Sequence, residues 1–366
     1  MQVTPEELSI KYKCESATRA VVSWPFPRLD GIIASLTNPD VFEWMDGLSY
    51  LRSYNVCPAV LDATGGFLNP LKKRGPLWAG IDPLRFLRMV WNYGRYDVLI
   101  SVDASSCFLF VQLKRLLRLT KPVVVIDPAV APAYLNSVRL NRKVLPYIEH
   151  VIVFSRVHED YLQREFGGRV PVSMVYHRID PLFFDKSKCR ELDGEPYICA
   201  VGNDSSRDYE RLFEAVEGLP IRVICNTKRK IERPAPSNVM LQSQYIDYRD
   251  LRDLYGNAQA VVVPLRNSLH PGGINTLLEA MSIGCPVVVS GSVGIIDYVK
   301  HGATAWVVAP EDTAALRAGI ETVLQDQELR QTLSINARDF CVSVCAMPVY
   351  AEKVAEILRR VTGHDN

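Results

Sequence analysis

The densest grouping of residues able to do chemistry runs from His270 to Asp312, HPGGINTLLEAMSIGCPVVVSGSVGIIDYVKHGATAWVVAPED. Two adjacent glycines, Gly272 and Gly273, lead through Ile274 into a helix expected from Asn275 to Ile283. Backbone amides and the positive end of that helix then face whatever occupies the loop, and they suit a phosphate. Glu279 follows one turn later, where a carboxylate accepts two hydrogen bonds from the vicinal hydroxyls of a ribose, as acidic residues do in dinucleotide sites. Loop and carboxylate together describe a nucleotide site. A Gly-Gly turn before a helix and a glutamate favouring the helix dipole also occur without a ligand, so these residues need the rest of the chain to decide between the readings.

Cations and further carboxylates sit where strands are expected to end. Arg207, at the start of a helix, can take a pyrophosphate bidentately, and Lys228, two residues beyond Asn226, adds a point charge or is a solvated surface cation. Gly202, Asn203 and Tyr245 complete the candidate donor-binding set with Pro271, Gly272, Gly273, Ile274, Asn275 and Glu279. Asp103 in SVDASS and Asp127 in VIDPAV are candidates to orient an acceptor, and each serves equally as a helix cap or loop former. No histidine has companions at metal-ligand spacing, His158 and His177 included, so no metal and no cofactor is assigned.

Short β-branched runs alternating with helical patterns position these groups, and that rhythm marks parallel sheets built from βαβ units. Strands are expected at 20–24, 57–61, 97–102, 122–126 and 150–154, then at 197–201, 221–225, 239–241, 260–264, 286–290 and 305–308. Helices are expected at 40–54, 83–93, 105–119, 207–216, 248–258, 275–283, 295–301 and 312–325, with a last one at 349–360. The polar, Pro- and Gly-containing stretch from Asp180 to Glu195 reads as a linker. Two α/β domains follow, with ligands at the carboxyl ends of their strands and the expected site in the cleft between them.

Within 270–312 the blocks Leu277-Leu278-Glu279-Ala280-Met281, Gly284-Cys285-Pro286-Val287-Val288, Gly302 and Pro310-Glu311-Asp312 occur in order. The segment resembles the family 4 retaining glycosyltransferases of GT-B fold, whose E-x7-E helix continues into LEAM, G-x-P-V-V and a terminal V-x-P-x-D. Val151 to Leu162 is similar to the last strand and helix of that family's amino-terminal domain, Tyr176 to Phe184 (YHRIDPLFF) to its N-G-I-D interdomain segment, and Tyr197 to Ala215 to the first strand and helix of its nucleotide-binding domain. The likeness spans about Val151 to Asp326, and the first 150 residues match only in rhythm.

The resemblance implies two Rossmann-like domains facing across a cleft: an acceptor-binding domain at 1–180, a nucleotide-sugar-binding domain at 181–345, and a helix at 346–366 crossing back to the first. It implies metal-independent transfer, with retained configuration, from a UDP- or GDP-sugar to a carbohydrate, lipid-linked or small-molecule acceptor. The missing Asp-x-Asp triplet agrees with metal independence. Three positions depart from the pattern: Pro271 stands where the family has the first Glu of E-x7-E, and Asn203 and Asp208 stand where it often has an Arg and a Lys on the donor diphosphate. A catalytically degenerate nucleotide-sugar-binding module is the alternative, while an epimerase or phosphorylase needs motifs this chain lacks.

Composition bounds the rest. The 366 residues carry 42 basic and 41 acidic side chains, so no global positive field recommends a nucleic-acid partner. The first 180 residues hold 22 basic and 17 acidic, the remainder 20 and 24. Local basic runs, Lys72-Lys73-Arg74, Lys114 to Lys121 and Arg139 to Lys143, are a solvated face or a hold on an anionic membrane surface or lipid phosphate. Nine cysteines without a CxxC pair read as reduced thiols in a cytoplasmic protein, and the polar start MQVTPEELSIKYK lacks the apolar core of a secretory signal. The expected location is the cytoplasm, free or peripheral to the inner face of a membrane.

Overall fold

Strands buried on both faces read as unbroken aliphatic runs rather than as alternating ones. The Val-Val-Val-Ile strand at Val123 and the Ala-Val-Val-Val strand at Ala260 are of this kind, with every residue buried. A computed structural model describes residues 8–9, 18–25, 28–38, 41–62, 81–127 and 135–364, without the side chains of 135–138. Lys72-Lys73-Arg74, Cys14 and the expected helix start at Pro39-Asp40 lie outside these residues.

By its internal contacts the chain forms two compact units: Met1–Pro39, Glu43–Tyr176 and Met347–Asn366, and Asp40–Phe42 with His177–Ala346. The first holds β1 (Thr18–Ser23), β2 (Val56–Val60), β3 (Val98–Val102), β4 (Val123–Ile126), β5 (His150–Val153) and β6 (Val172–Met174) in the order β2-β1-β3-β4-β5-β6, all parallel. Helices α1 (Leu29–Thr37), α2 (Pro83–Trp91), α3 (Phe108–Leu117), α4 (Leu135–Val144) and α5 (Arg156–Phe166) make the connections. Met89, Phe110, Val111, Val144 and Leu162 pack with Val21, Leu99, Val125 and Val151 in one core, so α2 to α5 cover one face of the sheet.

The second unit repeats the plan. Its strands β7 (Tyr197–Val201), β8 (Arg222–Asn226), β9 (Val239–Gln242), β10 (Ala260–Val263), β11 (Val287–Ser290) and β12 (Trp306–Val308) lie parallel in the order β12-β11-β10-β7-β8-β9. They alternate with α6 (Tyr209–Val216), α7 (Tyr248–Asn257), α8 (Ile274–Ile283), α9 (Thr313–Gln325) and α10 (Gln327–Phe340). Leu212, Phe213, Leu316, Ile320 and Val323 bury against Ile198, Val262 and Val288. The last helix, α11 (Met347–Thr362), packs in the first unit, where Arg359 donates to the Tyr54 carbonyl at 2.9 Å.

Several elements differ from expectation. The helix expected at 40–54 is only a 3-10 turn, Leu48–Tyr54, because Asp46 and Gly47 take positive φ of 58° and 78° and break any helix before it. The helix expected at 295–301 shrinks to the 3-10 turn Ile296–Tyr298, since Lys300 to Thr304 close a tight turn of their own. The stretch at 105–119 divides into a 3-10 turn, Ala104–Cys107, and α3. β6, α1, α4 and α10 are additions. Cys57 is disulfide-bonded, which corrects the expectation of nine reduced thiols, because proximity in space rather than spacing in sequence decides a bridge. Cys107, Cys199, Cys225, Cys285, Cys341 and Cys345 are buried free thiols, pushed up from their ordinary pKa by burial. Among the described residues no helix is long and apolar enough to cross a membrane.

Candidate functional site

The carboxyl edge of the second sheet is built around one guanidinium. Just past β7 the chain passes Gly202 at φ 145°, and a side chain there would begin 2.4 Å from Nη2 of Arg207. Arg207 is 2% exposed; its Nε donates to Oδ2 of Asp204 at 2.8 Å and its Nη2 to Oγ1 of Thr276 at 2.7 Å. Thr276 in turn donates to the Val201 carbonyl at 3.1 Å, so the arginine ties the β7 end to the first turn of α8. Burial raises the Asp204 carboxyl, but Arg207 and the Ser206 hydroxyl outweigh it and hold the group below the usual carboxylate range. With two nitrogens committed to the protein, only Nη1 of Arg207 is buried without a partner. The bidentate pyrophosphate contact expected of this residue is therefore not on offer in this arrangement.

The glycine loop closes over the same turn. A Cβ at Gly272 would meet Oγ of Ser206 at 1.7 Å and Oδ1 of Asp204 at 2.5 Å, so any other residue would displace these two side chains. Gly273 has φ 81°, is the N-cap of α8 and offers no side chain; among the described residues no side chain caps that helix start. The loop thus keeps both properties an anion needs, close backbone approach and helix amides not already bound by a cap. Pro271 and Ile274 are buried beside it and Asn275 is exposed, its Oδ1 lying 2.7 Å from Nε2 of His177.

Glu279 projects from the same helix and is 7% exposed. Burial pushes its carboxyl up to about 7, against the Tyr255 hydroxyl and the Arg207 charge, which both favour the ionised form. Tyr255 comes from α7 and is fully buried; its hydroxyl lies beside Glu279 but completes no hydrogen bond of ordinary geometry. Asn226, the last residue of β8, has a buried Nδ2 that is also without a partner. Three donors, Arg207 Nη1, Tyr255 OH and Asn226 Nδ2, thereby lack a hydrogen-bond partner among the described residues at this edge.

The remaining candidates of this unit sit around it. Oδ1 of Asn203 accepts from the Lys228 backbone at 2.6 Å, fastening the β7 end to the β8 end, while the Lys228 side chain is exposed. Arg229 donates to the Asp204 carbonyl at 3.1 Å. Sequence reasoning passed over Arg229, Asn226 and Tyr255; the run Lys228-Arg229-Lys230 was the available signal for the first, and Tyr255 gave none. Tyr245, between β9 and α7, is 70% exposed.

In the first unit Asp103 and Asp127 directly follow the adjacent strands β3 and β4. Both take positive φ, 85° and 50°. Oδ1 of Asp103 accepts from the Ser105 amide at 2.7 Å, capping the following 3-10 turn. Burial raises its carboxyl, the Ser105 amide opposes that, and the charge of Asp127 adds to it. The two carboxylates are close enough to repel.

Comparison with known proteins agrees with this architecture. Residues 186–340 match the family described as glycosyl transferases group 1. An uncharacterised glycosyltransferase of Methanocaldococcus jannaschii is 34% identical over 94 residues, 26% of this chain and 23% of that protein. The capsular polysaccharide biosynthesis glycosyltransferase CapM of Staphylococcus aureus is 32% identical over 84 residues, covering 23% of this chain and 21% of its own length. A glycogen synthase of Mycobacterium tuberculosis is 31% identical over 224 residues, 57% of this chain and 53% of that enzyme. The chain thus spans between about a fifth and about half of the length of these relatives. Among solved structures, sucrose-phosphate synthase from Thermosynechococcus elongatus superposes with a TM-score of 0.71 at 16% identity, over 95% of this chain and 100% of that one. Anabaena HepE in complex with UDP-glucose gives 0.66 at 14% identity, over 93% and 99%. With two Rossmann-like units, each on a six-stranded parallel sheet, the chain has the GT-B fold of these glycosyltransferases.

Proposed function

We propose that the protein is a metal-independent, retaining glycosyltransferase that moves a sugar from a nucleoside diphosphate sugar to a carbohydrate, lipid-linked or small-molecule acceptor. The observation that carries this reading is the coincidence, at one sheet edge, of the tightly packed glycine loop, an uncapped helix start, Glu279 and the partnerless donors of Arg207, Asn226 and Tyr255. Glu279 holds the ribose, the amides of the Gly272-Gly273 loop take the diphosphate, and Lys228 and Arg229 add positive charge at the β8 end. Arg207 acts mainly as a positioning residue, with Nη1 left for one oxygen. Structures of HepE hold UDP and UDP-glucose, which supports a uridine donor over a guanosine one.

In the transfer the bond from the anomeric carbon to the diphosphate oxygen breaks and one to the acceptor oxygen forms. The acceptor proton passes to the departing phosphate, which lies on the same face of the sugar. Charge grows on the diphosphate as the sugar becomes oxocarbenium-like, so preorganised amides and cations are the main source of rate. Asp103 and Asp127 orient the acceptor hydroxyl. Incubation with each nucleoside diphosphate sugar and an acceptor panel, followed by NMR of the product anomeric centre, tests the proposal: turnover with retained configuration is expected, and inversion rejects the mechanism. A degenerate nucleotide-sugar-binding module is favoured by one observation, the buried Pro271 in place of a sugar-contacting carboxylate. Nucleotide binding without release or transfer across the panel is the result that selects it.

A further inference from the structure

Helices α2 and α3 of the first unit serve the core with one side and turn large apolar groups outward with the other. Met89 of α2 and Phe110 and Val111 of α3 are buried, whereas Leu84, Leu87 and Trp91, spaced by three and four residues along one face of α2, are exposed. Trp91 is 87% exposed, and α3 ends in Leu116, 78% exposed, and Leu117. The ends of the two helices are neighbours. Lys121, four residues past α3, donates its amide to the hydroxyl of Tyr93, two residues past α2, at 3.3 Å, and its ammonium lies 4.9 Å from the centre of that ring. Trp91 and the Leu116-Leu117 pair therefore share one end of the helical layer.

This face is positively charged. From Pro83 to Lys121 the chain has seven basic residues and two acidic ones; of the basic ones Arg88, Arg95, Arg115 and Arg118 are exposed, whereas Arg85 is buried and Lys114 is buried in an ion pair with Glu149. Both acidic residues are engaged inside the fold: Asp97 accepts from the Arg19 amide at 2.8 Å, and Asp103 caps Ser105. Arg115 and Arg118 bracket the two leucines and are exposed, Arg115 stacking 4.7 Å from the centre of the Tyr147 ring. Leucines set between arginines, beside a tryptophan, match the headgroup zone of a bilayer. The apolar bodies sink, the guanidinium groups snorkel to the phosphates, and the indole bridges the two zones.

We infer that this face docks on an anionic lipid surface, with Leu87, Trp91, Leu116 and Leu117 entering the headgroup region and Arg115 and Arg118 meeting lipid phosphates. The charge around the apolar groups selects lipid over a second copy of the chain, since two such faces brought together would repel. The inference stands apart from the transfer reaction, because vesicle binding is read without donor or turnover.

The test is co-sedimentation of the full chain with vesicles of phosphatidylcholine containing phosphatidylglycerol, against phosphatidylcholine alone, together with the difference in tryptophan emission between the protein and its Trp91→Phe variant. Binding to the anionic vesicles alone is expected, with a blue shift of the Trp91 emission. Arg115→Gln and Arg118→Gln should each weaken it about fivefold, and Trp91→Ser with Leu116→Ser should abolish it while circular dichroism stays unchanged. Absent or lipid-independent binding overturns the inference, as does binding indifferent to all these substitutions. A concentration-dependent dimer lost in the Trp91→Ser, Leu116→Ser variant would assign the face to a second copy instead.

Discussion

The two units place unusual backbone at the same structural position, the carboxyl edge of a parallel sheet, and fill it with opposite residue types. In the second unit the positive φ angles belong to Gly202 and Gly273, at 145° and 81°. In the first they belong to Asp103 and Asp127, at 85° and 50°. Glycine takes such angles without strain and lets backbone approach closely, whereas a non-glycine residue held there costs on the order of 1–3 kcal/mol. One edge, in the proposed function, brings amides to a ligand. On the proposed function, the other accepts strain to aim carboxylates. That contrast suits a donor diphosphate on one unit and an acceptor hydroxyl on the other, and it can be broken experimentally.

The largest effect is expected at Arg207. Removing it leaves Asp204 without its cation and Thr276 without its donor, so Arg207→Ala should lower stability by about 3–5 kcal/mol, the range for breaking a buried pair. The exposed pair Arg233–Glu217 provides the contrast: Arg233→Ala should cost less than about 1 kcal/mol. Chemical denaturation of both variants decides. Equal small losses would mean that the second edge is not organised around the arginine. Next comes Gly272→Ala, whose added Cβ would lie 1.7 Å from Oγ of Ser206. It should destabilise by about 1–3 kcal/mol and abolish nucleotide binding. Gly94→Ala, with nothing within 4 Å of its Cβ, should stay within about 0.5 kcal/mol of the parent.

How much of this could be read from the chain follows the same physics. The central strands were legible because parallel strands buried on both faces must be β-branched runs, and β7 matches its expected bounds residue for residue. The short edge strand β6 and the helix α4, which is polar over most of its length, carry too little apolar signal to stand out. At the site, Gly272, Gly273 and Glu279 were legible as a local motif. Their reasons were not: Gly272 is required by Ser206, 66 positions earlier, and Glu279 is tuned by Tyr255 from another helix. Arg207 was legible as a functional cation, yet its burial on Asp204 and Thr276 is a property of the folded edge alone.

Glu279 sharpens the comparison through pH. Its carboxyl titrates near 7 in the fold and near 4.5 in an unfolded chain. Between these values the folded protein holds a proton that the unfolded chain has lost, so the stability of the free protein falls as pH rises through that window, by about 3 kcal/mol at most. Glu279→Gln removes the penalty. It should leave stability at pH 5 little changed and raise it at pH 8 by about 1–3 kcal/mol. Ribose hydroxyls favour the carboxylate, so nucleotide affinity of the parent should strengthen from pH 6 to pH 8, while the variant binds more weakly by about 1–3 kcal/mol and without that pH dependence. Calorimetry at the three pH values tests both parts. A variant that is less stable at pH 8 would show that Glu279 is held by the fold rather than kept for a ligand.

Only a small stability change is expected at Asp127, and its smallness is informative. Asp127→Gly relieves the left-handed conformation, worth about 1–2 kcal/mol, and returns about 0.5–1 kcal/mol of chain entropy to the unfolded state. These nearly cancel, so stability should stay within about 1 kcal/mol of the parent. The carboxylate is lost, however, and if the first edge exists to aim it, turnover with acceptor should fall about tenfold or more while nucleotide affinity is untouched. The reciprocal change, Gly202→Ala, puts a Cβ 2.4 Å from Nη2 of Arg207 and should do the reverse, losing nucleotide affinity first. If Asp127→Gly leaves turnover intact, the residue merely forms the loop after β4. The acceptor role then rests on Asp103, whose φ 85° and ψ 142° lie outside the left-handed helical region that aspartate tolerates.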